Sequence, residues 1–210
     1  MSFATVEYWP PSKPDIAPYM HDAFVSGWFQ SENQERLREL MTSCPPRYVV
    51  ELGAWYGTSA RFFLEQSRDA TVFSVDLWDK DLIIRSFEHQ CPEFPLPPEL
   101  VALLDEHPIR ETFMVNLWEF RHRLVPLQMT SVEGLNHVSQ LGLSPDLIYV
   151  DASHEYRAVC DDVGTSLKLF PKTKICGDDY SWLDVKRAVN DCARTHERAL
   201  RTKGEFWEFV

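Results

Sequence analysis

The chain has 210 residues, 25% of them charged and 44% hydrophobic, with a formal net charge of -11. That length suggests one domain around a single core. The acidic balance argues against nucleic acid and anionic membrane surfaces as partners, and no apolar run approaches the roughly 20 residues of a membrane helix.

The N-terminus lacks a basic-then-apolar targeting signal. The five cysteines, Cys44, Cys91, Cys160, Cys176 and Cys192, form no C-x-x-C pair. Reduced thiols in a cytoplasmic protein without a zinc site are the simple expectation. Residues 1–46 are expected as an N-terminal arm and helices. Met1 to Pro18 carries Pro10, Pro11, Pro14 and Pro18 around Tyr8 and Trp9, which predicts an irregular arm. Such an arm can pack on the domain, cover a site, or reach a second copy in a homodimer. From Asp22 to Met41 the pattern is helical, with Ser31-Glu32-Asn33 as a cap before a second helix.

Residues 47–210 are expected as the domain proper. Arg47 to Ser59 reads RYVVELGAWYGTS. Tyr48, Val49 and Val50 suit a strand buried on both faces. Gly53 permits a sharp turn and Gly57 close packing where a helix begins. The helix opening from Thr58 and Ser59 offers free N–H groups to an anion. The spacing is G-x-x-x-G, which departs from the dinucleotide pattern G-x-G-x-x-G.

Thr71 to Val75 is the next strand and ends in Asp76, about twenty residues past the glycines, where a ribose-binding carboxylate is expected. Glu51 and Asp76 then stand at adjacent strand tips, suited to a ligand with a ribose and a cationic amino-acid end. Trp78 either covers the base of that ligand or belongs to the core. An insert at about 77–123, rich in proline and aromatics, is read as a lid or substrate wall or as packing against the sheet. Leu124–Met129 and Asp146–Val150 are strands; the helices run from Ser131 to Leu141 and from Tyr156 to Phe170. A strand through Cys176 precedes Gly177-Asp178-Asp179. A last helix spans about Val185 to Arg194, and Gly204 to Val210 closes the chain as a strand.

Strands alternating with helices predict an α/β fold, a doubly wound, mostly parallel sheet of six or seven strands with an antiparallel end. Asp151, Asp178 and Asp179 each follow an apolar strand, so their carboxylates converge at one sheet edge. Gathered carboxylates repel one another, and a hard cation such as Mg²⁺ relieves that. The alternative is that Asp178 and Asp179 cap a loop. His154, three residues beyond Asp151, is placed to act as a general base near neutral pH.

ELGAWYGTSA, SVDLW, DASHEY and GDDY together resemble class I S-adenosylmethionine-dependent methyltransferases, nearest to the small O-methyltransferases of the catechol and sugar-tailoring types. The resemblance covers roughly Tyr48 to the C-terminus, with a gap in the middle. It implies a Rossmann-like fold ending in a two-strand hairpin, one strand of which is expected to be stunted here. It implies S-adenosyl-L-methionine held by Glu51, Gly53, Gly57, Ser59, Asp76, Trp78, Ser131 and Asp151, with Ser131 at the adenine edge unless it merely caps its helix. It places Asp151, Asp178 and Asp179 as metal ligands, with Asp179 standing where the catechol type has asparagine. His154 stands near the base, with Asp151 beside it in the catalytic set. The expected activity is metal-assisted O-methylation of a small-molecule hydroxyl; the alternatives are a metal-independent methyltransferase and a non-catalytic binding module.

Overall fold

The computed structural model describes residues 5–19, 29–90 and 98–210. The start of the expected Asp22–Met41 helical stretch and the prolines between 91 and 97 lie outside these residues. Helix α1 (Ser31–Ser43) buries Leu37 and Met41, one turn apart on a single face. Its N-cap is Gln30 and no side chain caps it, so Ser31 is the first helical residue and not the cap.

Strand β1 (Tyr48–Leu52), helix α2 (Thr58–Gln66) and strand β2 (Thr71–Asp76) form the first parallel unit. The insert contains α3 (Lys80–Gln90), α4 (Pro98–Glu106), α5 (Ile109–Asn116) and a short 3-10 turn at Trp118–Phe120. Then come β3 (Leu124–Gln128), α6 (Ser131–Gln140), β4 (Leu147–Val150), α7 (Tyr156–Leu169), β5 (Lys174–Gly177) and α8 (Leu183–Thr195). A hairpin of β6 (Leu200–Lys203) and β7 (Phe206–Phe209) ends the chain, its two strands equal in length. Neither strand is stunted, because Gly204 at φ 58° lets a tight turn follow Lys203 directly.

The sheet order is β3-β2-β1-β4-β5-β7-β6. β1 to β5 are parallel and β7 runs antiparallel to β5. Val49, Val72, Leu124 and Leu147 face one core, with Phe62, Phe63, Leu37 and Phe113. Val50, Phe73, Val125 and Ile148 face the other, with Leu135, Val163 and Val189. Burial on both faces accounts for the unbroken apolar runs in the strands. Each such fully buried side chain contributes about 1.5–3 kcal/mol.

The described part of the arm packs along the β3 edge. Thr5 donates to the Arg121 carbonyl at 2.8 Å, and Trp9 Nε1 donates to the Leu124 carbonyl at 2.8 Å. A 3-10 turn at Thr5–Tyr8 interrupts its irregular course. Covering an edge strand removes a template for pairing with other chains. Among the described residues no helix is long and apolar enough to cross a membrane.

Candidate active site

β1 and β4 are neighbours although β2 follows β1 in sequence, so the crossovers diverge between their carboxyl ends. A cleft of about 980 Å³ opens over this point. It is lined by Gly53 to Trp55, Thr58 and Ser59 from the β1–α2 turn, Asp76 from β2, Thr130 and Ser131 before α6, Asp151 to Glu155 after β4, and Asp179 after β5. Gly53, Ser59, Asp76, Ser131, Asp151, His154 and Asp179 therefore share one cavity, as the spacing of strand tips predicts.

The turn is built by backbone constraint. Gly53 has φ 86°, and a Cβ there would stand 1.9 Å from the Asp151 carbonyl oxygen. Gly57 has φ 92°, and its missing Cβ leaves room for Leu117. Gly57 thus serves packing and does not line the cleft. A G-x-G spacing would put glycine at 55, and Trp55 occupies that place at φ 47°. The strain of a left-handed tryptophan is held by the Asp76 carboxylate, which accepts from the amides of Ala54 (2.8 Å), Trp55 (2.9 Å) and Trp78 (2.7 Å). Burial raises the Asp76 pKa against the opposing effect of these amides.

Glu51 stands apart from the expectation. It is fully buried, its carboxyl accepts from the hydroxyls of Ser59 and Ser74, and it does not line the cleft. Burial pushes its pKa up to about 7 despite these two donors. It reaches the cleft only through Ser59. Trp78 is also withdrawn: it is 6% exposed, packs on Phe113 with ring centroids 4.9 Å apart, and donates to the Trp55 carbonyl. It belongs to the core and not over a bound base, because the turn that carries it folds back under Trp55. The cap of α6 is Thr130, in a capping box with Glu133, which leaves Ser131 facing the cleft.

The acids at the β4 and β5 tips meet as expected, though unequally. Burial, then the charges of Asp178 and Asp179, hold the Asp151 pKa well above the ordinary carboxylate range, and a hydrogen bond joins Asp151 to Asp179. Asp179 also accepts from His154 Nε2 at 2.7 Å, and the imidazole stacks on Trp182 with centroids 4.5 Å apart. Asp178 is 4% exposed. Its Oδ1 accepts the Asp179 amide and its Oδ2 the Tyr149 hydroxyl. Burial and the neighbouring Asp179 charge raise its pKa to about 6.

A pocket of about 10 Å³ between Asp151, Asp178, Asp179 and His154 has room for roughly one water-sized occupant. The donors suit Mg²⁺ in kind. In number they suit it only as a pair, Asp151 and Asp179, since Asp178 is turned to Tyr149. Among the described residues no three such side chains converge as a ligand set.

Several lining residues have no sequence motif. Phe29, Gln30, Trp182 and Glu205 line the cleft, and α3 supplies Leu82, Ile83, Arg85, Ser86 and His89. The insert both walls the cleft and, through Leu100, Leu104, Phe113 and Met114, joins the core. Asp162 of α7 also lines the cleft. An acid among the buried Val159, Val163 and Leu167 of an amphipathic helix was the signal that could have revealed it. Thr58 lies at the start of α2, and its buried hydroxyl has no hydrogen-bond partner among the described residues.

A family model described as "Methyltransferase domain" matches residues 50–180, more than half of the chain. The chain belongs to this methyltransferase family. No curated protein matches the methyltransferase. Among solved structures it is similar to cofactor-bound Rv0187 from MTB (14% identity, 86% of this chain and 80% of that one, TM-score 0.59). It is also similar to the O-methyltransferase from Bacillus cereus in complex with SAH (14% identity, 86% and 80%, TM-score 0.56). The calicheamicin methyltransferase CalS11 is a third (12% identity, 86% and 80%, TM-score 0.55). At these identities the likeness is one of fold, over 86% of this chain.

Proposed function

We propose that this methyltransferase uses S-adenosyl-L-methionine to methylate a hydroxyl of a small molecule. The observation that carries the reading is one continuous cleft with a donor end and a base end. At the donor end stand the first amides of α2, the Thr58 hydroxyl, which has no hydrogen-bond partner among the described residues, and the Asp76 carboxylate. These suit, in turn, a carboxylate at a helix N-terminus and the hydroxyls of a ribose. The SAH and cofactor named for the fold neighbours agree with such a ligand.

At the base end His154 is fixed between Asp179 and the face of Trp182. It takes up the hydroxyl proton, and Asp179 balances the charge that develops on the ring. S-adenosyl-L-methionine, when bound, supplies an electrophilic methyl group. The chain supplies orientation, exclusion of water by Phe29, Trp182 and α3, and the proton acceptor. A divalent cation such as Mg²⁺, held by Asp151 and Asp179, would lower the pKa of an acceptor hydroxyl.

Among the described residues this end carries Asp151, Glu155, Asp179 and Glu205, while Arg85 lines the cleft from α3. A neutral or cationic acceptor suits it better than an anionic one.

The test is transfer of labelled methyl from S-adenosyl-L-methionine across a panel of phenols, sugars and polyols, with and without chelator. His154→Ala should lower kcat about 100-fold or more while S-adenosylhomocysteine still binds. Full activity in His154→Ala removes the base assignment. No transfer to any hydroxyl, despite donor binding, removes O-methylation. Activity unchanged by chelator removes the cation alone.

A further inference from the structure

Cys160 and Cys192 face each other across two packed helices. Cys160 lies in the second turn of α7 and Cys192 near the end of α8, and neither lines the cleft. Both pack on the core that holds Val159, Val163, Val185 and Val189. A hydrogen bond joins the two side chains. Neighbouring contacts fix the same register. Tyr156, one turn before Cys160, donates to the Asp191 carboxylate at 2.9 Å, and the Arg187 guanidinium lies 4.5 Å from the centre of the Tyr156 ring. The opening of α7 that carries Cys160 therefore lies against the stretch of α8 from Arg187 to Cys192.

The two thiols differ in access. Cys160 is half-buried, whereas Cys192 is 6% exposed. Burial, and after it the Cys160 side chain, push the Cys192 pKa up to about 12, so Cys192 stays protonated in the reduced protein. A buried cysteine by itself is ordinarily inert. A more accessible thiol in contact with a buried one is the arrangement of an attacking and a resolving cysteine.

We propose that Cys160 and Cys192 form a redox-responsive modification site whose co-reactant is a small-molecule disulfide. The Cys160 sulfur, as its thiolate, attacks one sulfur of that disulfide; the S–S bond breaks and one half leaves as a thiolate. In the mixed disulfide Cys160 carries no charge and no longer opposes ionisation of Cys192. Cys192 gives its proton to water, attacks the Cys160 sulfur and expels the second half. The protein gives up two electrons and two protons, and the small disulfide is reduced to two thiols. The second step is intramolecular, which favours it over a second external attack. The product ties α7 to α8. α7 follows His154 in the chain and α8 follows Trp182, so the bond joins the two helices whose leading ends carry the stacked pair of the cleft.

The test is incubation of the folded full chain with oxidised glutathione, then denaturation, alkylation of the remaining thiols and peptide mapping by mass spectrometry. The expected product is a Cys160–Cys192 cross-linked peptide at least about tenfold more abundant than glutathione retained on Cys160, and lost on treatment with dithiothreitol. In Cys192→Ser, with circular dichroism unchanged, glutathione should instead remain on Cys160. Both thiols left free for alkylation in wild type overturns the proposal, as does stable glutathione on Cys160 with Cys192 free. A cross-link that forms only in urea also overturns it, because the bond then belongs to the unfolded chain. A folded Cys192→Ser that takes up no glutathione at Cys160 overturns Cys160 as the point of entry. The wild-type mapping decides the matter even where Cys192→Ser fails to fold.

Discussion

At the residue scale, the site is a set of carboxyls whose partners decide their roles. Glu51 is the clearest case. Its ordinary pKa of 4.5 is raised to about 7 by burial. Below pH 4.5 both folded and unfolded chains hold the proton, and no stability is lost. Between 4.5 and 7 the unfolded chain ionises while the folded one does not, so stability falls as pH rises. Above 7 the loss levels at about 3 kcal/mol. Glu51→Gln removes the titrating group, so urea titrations at pH 5 and pH 8 should show the variant gaining on wild type by about that amount; an equal gap at both pH values contradicts it. The sequence tells which residue ends each strand, and that sufficed to gather Asp76, Ser131, Asp151, His154 and Asp179. It does not tell which oxygens are already taken by distant partners. Tyr149 engages Asp178, Ser59 and Ser74 engage Glu51, and Phe113 holds Trp78 in the core. Those contacts decide which residues face the cleft.

At the element scale, the β1–α2 turn is the part that admits no variation. Gly53 brings the backbone against the carbonyl of Asp151, so the first and fourth strand ends are coupled through it. Gly53→Ala combines a left-handed backbone with a steric clash that no side-chain movement relieves. It should cost at least about 2 kcal/mol, read as a lowered urea midpoint. A variant as stable as wild type would show that the turn has an alternative conformation. This element was legible because glycine spacing is a backbone property. The insert was legible only in part: its prolines and aromatics announced a long connection, but whether they wall a cleft or fill a core depends on helix orientation. Here α3 does the first, while Phe113 and Met114 of α5 do the second.

At the scale of the whole molecule, the strand and helix alternation gives the doubly wound sheet, because only one hand of crossover packs a helix back on parallel strands. The net charge of -11 has a local counterpart in Asp151, Glu155, Asp179 and Glu205 along the cleft. Among methyl acceptors of equal size, phosphorylated ones should therefore show higher KM than neutral ones, by about tenfold at low ionic strength, with the gap shrinking in salt. Equal KM values would mean that Arg85 and His89, on the α3 wall, set the acceptor field instead. The central claim is simpler than any acceptor: the strand tips of β1 and β2 form the donor site. Calorimetric titration of S-adenosylhomocysteine into wild type and Asp76→Asn tests it most directly. Saturable binding at one site in wild type, weakened about tenfold or more in a folded Asp76→Asn, is the expected result. Absence of binding in wild type, or equal affinity in the two proteins, would contradict it.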